Sequence, residues 1–307
     1  MSTIVSLDLD DLDCYHGIHG LDGESAPSTR GLALERWLPR FLDLFAATDV
    51  RATIFVIGKD LEHDLRHRQG RGAAILGRAL LEGHELGNHS HSHAYDLVRW
   101  PAAEIAEDLR RCDDLLRHIG ARPAGFRAPG YTHDDNMLMQ AAALGYRYDS
   151  SLLPSPTYYL GKLGVLALRK LRRRKSSASL TEGARSFVGT TAVHLLPEVG
   201  LWEVPISVSR GLRLPLTGTF LLADNPPMLT KLQAEMLRRE AESARHLHLE
   251  LHAIDLADPQ ADGLSPALVA AQRDLATPLD RRLERLQTLL KSRGGGTSIA
   301  RIMSRHI

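Results

Sequence analysis

The sequence contains few cysteines, almost no net charge and no long hydrophobic run. Its 307 residues include two cysteines, Cys14 and Cys112, which are too few for a disulfide framework or a cysteine zinc site and fit a reducing compartment. The formal net charge is +1, so electrostatics give no reason to expect nucleic-acid binding. No stretch of about 18 apolar residues occurs, so we expect no membrane-spanning helix.

What is present is an ordinary globular composition, with 43% hydrophobic and 24% charged residues. This length suits one large domain, and an α/β barrel commonly has about this size. The N-terminus shows no charged segment followed by an apolar run, and residues 3–8 are typical of a buried strand. We therefore expect a cytoplasmic protein.

Strand-like and helix-like segments alternate along the first half of the chain. The apolar, β-branched run at 52–57 predicts a strand, and strands are also predicted at 3–9, 124–127 and 146–149. Helical periodicity predicts helices at 34–47, 72–82, 102–119 and 134–144. In the second half, strands are predicted at 202–207 and 247–251, and helices at 229–244 and 279–291. This order favours a mostly parallel sheet, open or closed into a barrel.

The alternation breaks between about residues 155 and 209, and we interpret 155–200 as an insertion. Residues 158–171 are compatible with an apolar and aromatic helix, which ends in a basic run at 170–175. Basic amphipathic helices often lie on anionic membranes. The segment therefore predicts either peripheral contact with an anionic membrane surface or a core helix with a solvated basic tail.

The most informative stretch is residues 87–93, in which His89, His91 and His93 alternate with serines. On a helical turn, His89 and His93 share one face and can bind one metal ion, while His91 points away. On a strand, all three would share a face. A polar surface loop is the alternative interpretation. A metal site needs a third ligand from elsewhere in the chain.

Polar residues of catalytic type follow several predicted strands; they are Asp8, Asp10, Asp11, Arg127, Asp149 and His252. Asp8 and Asp10 are two apart and therefore share a face of a strand. Two histidines and an aspartate are typical of a catalytic metal site, where a second carboxylate can act as base and a further histidine as acid. Taken alone, Asp11 fits a helix N-cap and Arg127 fits a structural ion pair.

This ordered set resembles the Asp-x-Asp branch of the polysaccharide deacetylase family, carbohydrate esterase family 4, with its NodB-homology domain. The resemblance runs from Ile4 to about His252, and residues 83–93 match the family's metal motif, His-Ser/Thr-x-x-His. It implies an α/β fold, namely a distorted (β/α) barrel of seven or eight strands, in a single domain over 1–307. It also implies a divalent metal, most often Zn²⁺, bound by Asp10, His89 and His93.

The same resemblance implies roles for the other polar residues. Asp8 would be the general base, and Arg127 would orient it. His252 would be the general acid, and Asp149 would tune that acid. The reaction implied is metal-assisted hydrolysis of an amide bond.

Two departures from the family pattern leave alternatives open. The acidic cluster after the first strand allows either Asp8 as base with Asp10 as ligand, or Asp10 as base with Asp11 as ligand. We prefer the first because strand alternation puts Asp8 and Asp10 on one face. The third motif reads Arg-Ala-Pro-Gly-Tyr, so the backbone N–H that completes an oxyanion hole belongs to Gly130 or Tyr131.

The functional expectation is removal of an N-acetyl or similar N-acyl group from an amino sugar of a glycan or lipid-linked saccharide. The basic insertion adds the expectation of an enzyme at the inner face of a membrane. Two alternatives remain open: a hydrolase of a non-sugar C–N bond in a small amide metabolite, and a catalytically inactive, glycan-binding relative.

Overall fold

Parallel strands form the centre of the molecule. The computed structural model describes residues 1–21, 30–171, 189–226 and 229–304. In this part of the chain eight strands form one sheet: β1 (Ser2–Asp8), β2 (Thr53–Val56), β3 (Glu85–Asn88), β4 (Gly125–Phe126), β5 (Tyr148–Asp149), β6 (His194–Leu196), β7 (Leu201–Glu203) and β8 (His246–His252). Their order across the sheet is β6-β7-β5-β4-β3-β2-β1-β8. Every neighbouring pair is parallel except β6 with β7.

Helices connect the strands. In chain order they are α1 (Leu12–His19), α2 (Leu38–Ala47), α3 (Gly58–His67), α4 (Arg71–Leu81), α5 (Ala102–His118), α6 (Asp135–Ala143), α7 (Pro156–Leu171), α8 (Gly218–Leu221), α9 (Lys231–Ser243), α10 (Pro266–Ala271), α11 (Leu279–Ser292) and α12 (Ile299–Met303). A π-helical turn, Ala33–Trp37, leads into α2. Strands alternating with helices around a parallel sheet confirm the predicted α/β class.

The sheet curls toward a barrel, and its two edge strands, β6 and β8, are not paired with each other. The chain that follows β7 lies between β5 and β8 instead. Ile206 donates its backbone N–H to the carbonyl of Leu152 at 2.9 Å, and Ser207 donates to the carbonyl of His248 at 3.2 Å. We call residues 204–217 the seam segment. The sheet therefore forms a barrel that continuous strand pairing does not close, which confirms the distorted (β/α) barrel expected from the sequence.

The hydrophobic core lies between the barrel wall and the helices. Val5 and Leu7 of β1 pack in one buried cluster with Trp37, Phe41 and Phe45 from the first long helical segment. Burying one such side chain contributes about 1.5–3 kcal/mol. This packing fixes β1, and with it the acidic residues at its carboxyl end.

Sequence periodicity does not predict α3, whose ten residues read GKDLEHDLRH. Much of its buried surface is polar. The carboxylate of Asp64 accepts hydrogen bonds from the N–H groups of Gly72 at 2.9 Å and Ala73 at 2.8 Å, at the start of α4. With Leu61 and Leu65 as its only large apolar residues, α3 offers too few positions for hydrophobic periodicity to predict a helix.

The segment interpreted as an insertion begins with α7. Tyr159 is buried, whereas Leu160 and Leu163 are 62% and 49% exposed, so one side of the helix packs and the other faces solvent. Most of the basic run at 170–175, and the serine stretch at 176–179, lie outside the described residues. Among the helices that are described, none is both long and apolar enough to cross a membrane.

Candidate metal and acid–base site

The sequence-predicted site residues meet at the carboxyl edge of the sheet. Asp8 ends β1 and is the register partner of His252, which ends β8. His89 directly follows β3, and Arg127 directly follows β4. Because parallel strands bring their carboxyl ends to one edge, four distant stretches of sequence contribute to one site.

Asp10, His89 and His93 form a buried group at this edge. The Oδ1 atom of Asp10 lies 3.4 Å from Nε2 of His89 and 3.3 Å from Nε2 of His93. Burial alone would raise the pKa of Asp10, but the two neighbouring histidines lower it well below its usual value. The group therefore presents two imidazole nitrogens and one ionised carboxylate to a common point.

A loop, and not a helical turn, brings the two histidines together. Ser90 and His93 have φ values of 61° and 54°, in the left-handed region. Asp108 on α5 holds the loop, since its carboxylate accepts the N–H groups of His91 at 2.8 Å and Ser92 at 3.0 Å. His89 and His93 do lie together, as their four-residue spacing predicts, but a loop with left-handed residues brings them together and not a helical turn.

Two nearby residues are directed elsewhere. The Nε2 atom of His91 lies 3.3 Å from the carboxylate of Glu62. The carboxylate of Asp11 accepts the backbone N–H groups of Gly31 and Ala33. This placement favours the register with Asp10, and not Asp11, beside the histidines.

The donor set fits a divalent metal. Both Oδ1 of Asp10 and Nε2 of His93 are buried and have no hydrogen-bond partner among the described residues. The Nδ1 atom of His89 donates to the carbonyl of Arg127 at 2.8 Å, so its Nε2 carries the lone pair. The Nδ1 atom of His93 lies 3.5 Å from Sγ of Cys14. Nitrogen and carboxylate ligands in this combination are typical of zinc.

Arg127 is the buried cation of the site. Its Nη1 atom donates to Asp8 at 2.6 Å and lies 3.6 Å from Glu250. Its remaining donors bind Ser150 and Ser6, and its guanidinium lies 4.4 Å from the ring centre of Phe55. The contact with Asp8 is the one expected of a residue that orients a base. The other oxygen of Asp8 lies 3.8 Å from Nε2 of His89.

Glu250 is a site residue to which the sequence reasoning gave no role. Its carboxylate is completely buried, close to Asp8 and His252, and accepts the hydroxyl of Tyr131 at 3.0 Å. Burial raises the pKa of Glu250 to about 7, against the lowering effect of His252 and Arg127. The available signal was its position two residues before His252 on one strand, which puts both side chains on the same face.

Glu250 and Asp8 together keep His252 protonated. Burial alone would lower the pKa of His252, but Glu250, followed by Asp8, raises it to about 9. Asp149, the residue expected to tune this histidine, lies elsewhere: its carboxylate accepts the hydroxyl of Ser151 at 2.6 Å and groups with His133 and Glu203. Glu250 therefore takes the position that the sequence reasoning assigned to Asp149.

Gly130 and Tyr131 form a tight turn after β4. Both have positive φ values, 58° and 65°. The N–H of Tyr131 donates to the carbonyl of Ala128 at 3.2 Å, and its ring meets that of Tyr158 on α7 at 5.8 Å. The turn thus joins the candidate site to the start of the predicted insertion.

A mostly parallel α/β barrel with a His-His-Asp group at its carboxyl edge defines a class of protein, and comparisons with known proteins show which family the chain resembles. Residues 24–148 match the polysaccharide deacetylase family model. A chitin deacetylase of Arthroderma benhamiae is 31% identical over 119 residues, covering 38% of this chain and 30% of that protein. A chitin deacetylase of Colletotrichum lindemuthianum is 27% identical over 187 residues, covering 60% and 73%.

A crystal structure from Mycobacterium smegmatis assigned to the polysaccharide deacetylases superposes with a TM-score of 0.60 at 16% identity, covering 100% of this chain and 89% of that one. Over residues 24–148 the chain is similar in sequence to the polysaccharide deacetylase family, and the likeness to the Mycobacterium smegmatis structure shows that it has the same fold. The family model spans His89, His93 and Arg127, whereas Asp8, Asp10 and the whole of β8 lie outside it.

Proposed function

We propose that this chain is a metal-dependent hydrolase that removes an N-acetyl or similar N-acyl group from an amino sugar of a glycan or lipid-linked saccharide. The observation that carries the proposal is the contact between two buried groups. One group consists of Asp10, His89 and His93, and the other of Asp8, Glu250 and His252. They meet where an oxygen of Asp8 lies 3.8 Å from Nε2 of His89. Similarity to the polysaccharide deacetylase family over residues 24–148 supports the same reaction class, since the two similar chitin deacetylases are named for it.

Asp10, His89 and His93 would hold the metal. A divalent ion bound there lowers the pKa of water and polarises a carbonyl oxygen. The unpartnered atoms on Asp10 and His93 support this assignment because buried polar atoms normally have partners. Which metal is loaded is left to measurement, and zinc is the first candidate.

Asp8 is the proposed general base. Arg127 fixes one of its oxygens through a hydrogen bond, and the other oxygen is directed toward His89 and the metal-ligand group. A base in this position accepts the proton of an attacking water molecule. Because the guanidinium of Arg127 is buried and held by Ser6 and Ser150 as well, the base has one orientation.

His252 is the proposed general acid, with Glu250 as the carboxylate that keeps it protonated. A raised pKa means that the imidazolium form is present at neutral pH and can donate a proton to the departing amine. For the oxyanion we favour the N–H of Gly130, since that of Tyr131 already donates to Ala128.

The aromatic and apolar residues next to α7 favour a substrate that has an apolar part. Tyr131 meets Tyr158, and the exposed Leu160, Leu163 and Leu212 lie on α7 and on the seam segment. A lipid-linked saccharide would place its acyl chain there, as the sequence reasoning expected. The full chain should float with anionic liposomes at low salt, and absence of binding under these conditions would refute membrane contact.

The central experiment compares three histidine variants. His89→Ala and His93→Ala should each lower bound metal by about one equivalent and abolish acetate release from N-acetylglucosamine oligomers. His91→Ala is the matched control, because His91 lies between the two but contacts Glu62, and it should keep both. Full activity in a His89→Ala/His93→Ala double variant would contradict the mechanism. A metal-loaded native chain that binds the oligomers without releasing acetate would favour the inactive glycan-binding alternative.

A further inference from the structure

A second group of titratable side chains lies apart from the proposed active site. It consists of His133, Asp149 and Glu203, whose donor atoms all lie within 4.8 Å of one another. The three residues are 9%, 0% and 1% exposed. Asp149 and Glu203 end neighbouring strands, β5 and β7, and are register partners. Paired positions on parallel strands point to the same face, so the two carboxylates lie side by side.

Two adjacent buried carboxylates need a compensating positive charge or a shared proton. In the described part of the chain neither Asp149 nor Glu203 forms an ion pair with a lysine or arginine. Asp149 accepts from the hydroxyl and the N–H of Ser151, and Oε1 of Glu203 accepts the N–H of Leu152 at 3.1 Å. The Oε2 atom of Glu203 is buried and has no partner among these residues. Burial, followed by the charge of Asp149, raises the pKa of Glu203 well above its usual value.

His133 supplies the third donor in a form suited to a metal. Its Nδ1 atom lies 3.1 Å from the carbonyl oxygen of Tyr131, which can only accept, so Nδ1 carries the hydrogen. In the neutral ring this leaves Nε2 with the free lone pair. His89 shows the same arrangement, with Nδ1 donating to the carbonyl of Arg127. A histidine held through one nitrogen by a backbone carbonyl is the usual form of a metal ligand.

We propose that His133, Asp149 and Glu203 form a second divalent-cation site, of the zinc or manganese class. One imidazole nitrogen and two carboxylate oxygens suit these ions, and a doubly charged cation balances the two carboxylates. The position indicates a bracing role. Asp149 binds Ser151, whose hydroxyl accepts the N–H of Ala128 at 2.8 Å, and His133 holds the carbonyl of Tyr131. The ion would therefore fix both ends of the turn that carries Gly130.

The test measures metal stoichiometry, so it does not depend on the proposed enzymatic activity. Every protein carries His67→Ala, because His63 and His67 lie on one side of α3 with ring centres 4.8 Å apart and could chelate zinc weakly. Equilibrium dialysis of the full chain against zinc, and separately against manganese, should then give two equivalents. Removing the first site with His89→Ala/His93→Ala should leave one equivalent.

Adding Glu203→Gln or His133→Ala to that double variant should remove the remaining equivalent, whereas the exposed Glu198→Gln should not. Glu203→Gln in the otherwise native chain should lower the stoichiometry from two to one, which keeps the test valid if the double variant does not fold. Saturating metal should raise Tm in the double variant and lose this effect with Glu203→Gln. A double variant that binds no metal, or a stoichiometry that Glu203→Gln leaves unchanged, would overturn the proposal in favour of a proton shared by the two carboxyl groups.

Discussion

Arg127 is the residue on which the charge balance of the site depends. It is completely buried, and it is the described cation that contacts both Asp8 and Glu250. A buried ion pair adds little net stability, because desolvation offsets the attraction, but removing one partner leaves an uncompensated charge in the interior. Arg127 therefore matters for folding as well as for orienting the proposed base.

Replacing Arg127 by methionine should lower the free energy of unfolding by about 3–5 kcal/mol and abolish activity. The physical reason is that Asp8 would lose its hydrogen-bonded partner inside the protein. Urea unfolding of the metal-free chain measures the loss. Arg110→Met is the control, since Arg110 forms exposed ion pairs with Glu107 and Asp114 and should show no comparable change. Equal stabilities for the two variants would contradict a buried, paired role for Arg127.

Glu250→Gln should lower the pKa of His252 from about 9 by about 1–3 units, because an opposite charge in contact stabilises the imidazolium. The pKa of His252 lies above its ordinary value, so the proposed acid is active at lower pH and is lost as pH rises through that pKa. The basic limb of the activity profile should accordingly move to lower pH. The glutamine retains an oxygen acceptor for the hydroxyl of Tyr131.

An NMR titration of the metal-free chain measures this shift directly, with the resonance identified by its loss in His252→Gln. Glu85→Gln removes a buried carboxylate at another position and should leave His252 unchanged. Asp149→Asn tests the rival residue in the same way. A shift with Asp149→Asn and none with Glu250→Gln would restore Asp149 as the tuning residue.

At the scale of elements, the turn after β4 requires glycine. Gly130 has a φ of 58°, and a Cβ there would lie 2.5 Å from the ring of Tyr95. Gly130→Ala should therefore displace the turn and lower kcat by about tenfold or more, while bound metal stays constant. Gly145→Ala is the matched control, because Gly145 also has a positive φ, 84°, but no atom within 4 Å of an added Cβ. Steady-state kinetics with metal analysis would expose a purely structural effect, in which both variants lose activity equally.

The sequence predicts long elements better than the short ones that build the site. The helices at 72–82 and 102–119 match α4 and α5 to within a residue. The strand expected at 124–127 is reduced to the two residues of β4, although the N–H of Arg127 still donates to the carbonyl of Asn88 at 3.0 Å. The loop of His89 and His93 depends on left-handed residues and on Asp108 from α5, and neither contribution has a local pattern.

Long-range pairing limits what the sequence can predict of the site. The alternation of side chains along a strand predicts that Asp8 and Asp10 share a face, and in the structure Asp10 lies beside the two histidines. The partnership of Glu250 with Asp8 depends on the register of β8 against β1. Likewise, Asp149 lies beside Glu203 because β5 is the neighbour of β7 in the sheet. The edge strand β6 precedes β7 in the chain and pairs with its other side. Spacing along the chain carries no information about such neighbours.

At the scale of the whole molecule, several buried carboxyl groups favour protonation. Burial raises the pKa of Asp274 to about 7, with a further contribution from Asp255. Burial also raises the pKa of Asp11 to about 6. A carboxyl whose pKa is raised in the folded state stabilises the protein fully below its unfolded value and loses that contribution as pH rises through the folded value. Asp274 and Asp11 should therefore each contribute a loss of stability to the metal-free chain between about pH 4 and pH 7.

Asp274→Asn should reduce this pH dependence, by up to about 4 kcal/mol between pH 4 and pH 8. The asparagine stays neutral in both the folded and the unfolded chain, so its contribution does not titrate. Urea unfolding in the presence of a chelator at the two pH values gives the difference. The exposed Asp280→Asn should keep the slope of the native chain, and identical slopes for Asp274→Asn and the native chain would contradict the argument.

The seam segment has a consequence for how the barrel exchanges with solvent. β1 and β8 are joined along all seven residues of each strand, whereas the seam segment joins β8 at separate points, with two hydrogen bonds between Ser207 and His248 and a bridge between Thr217 and Glu250. Local opening costs least where backbone contacts are fewest, so breathing motions begin at the seam. His248 and Glu250 lie on the strand that borders it. We therefore expect water to reach the interior at the seam during local opening, at a place separate from the carboxyl edge of the sheet where a substrate would bind.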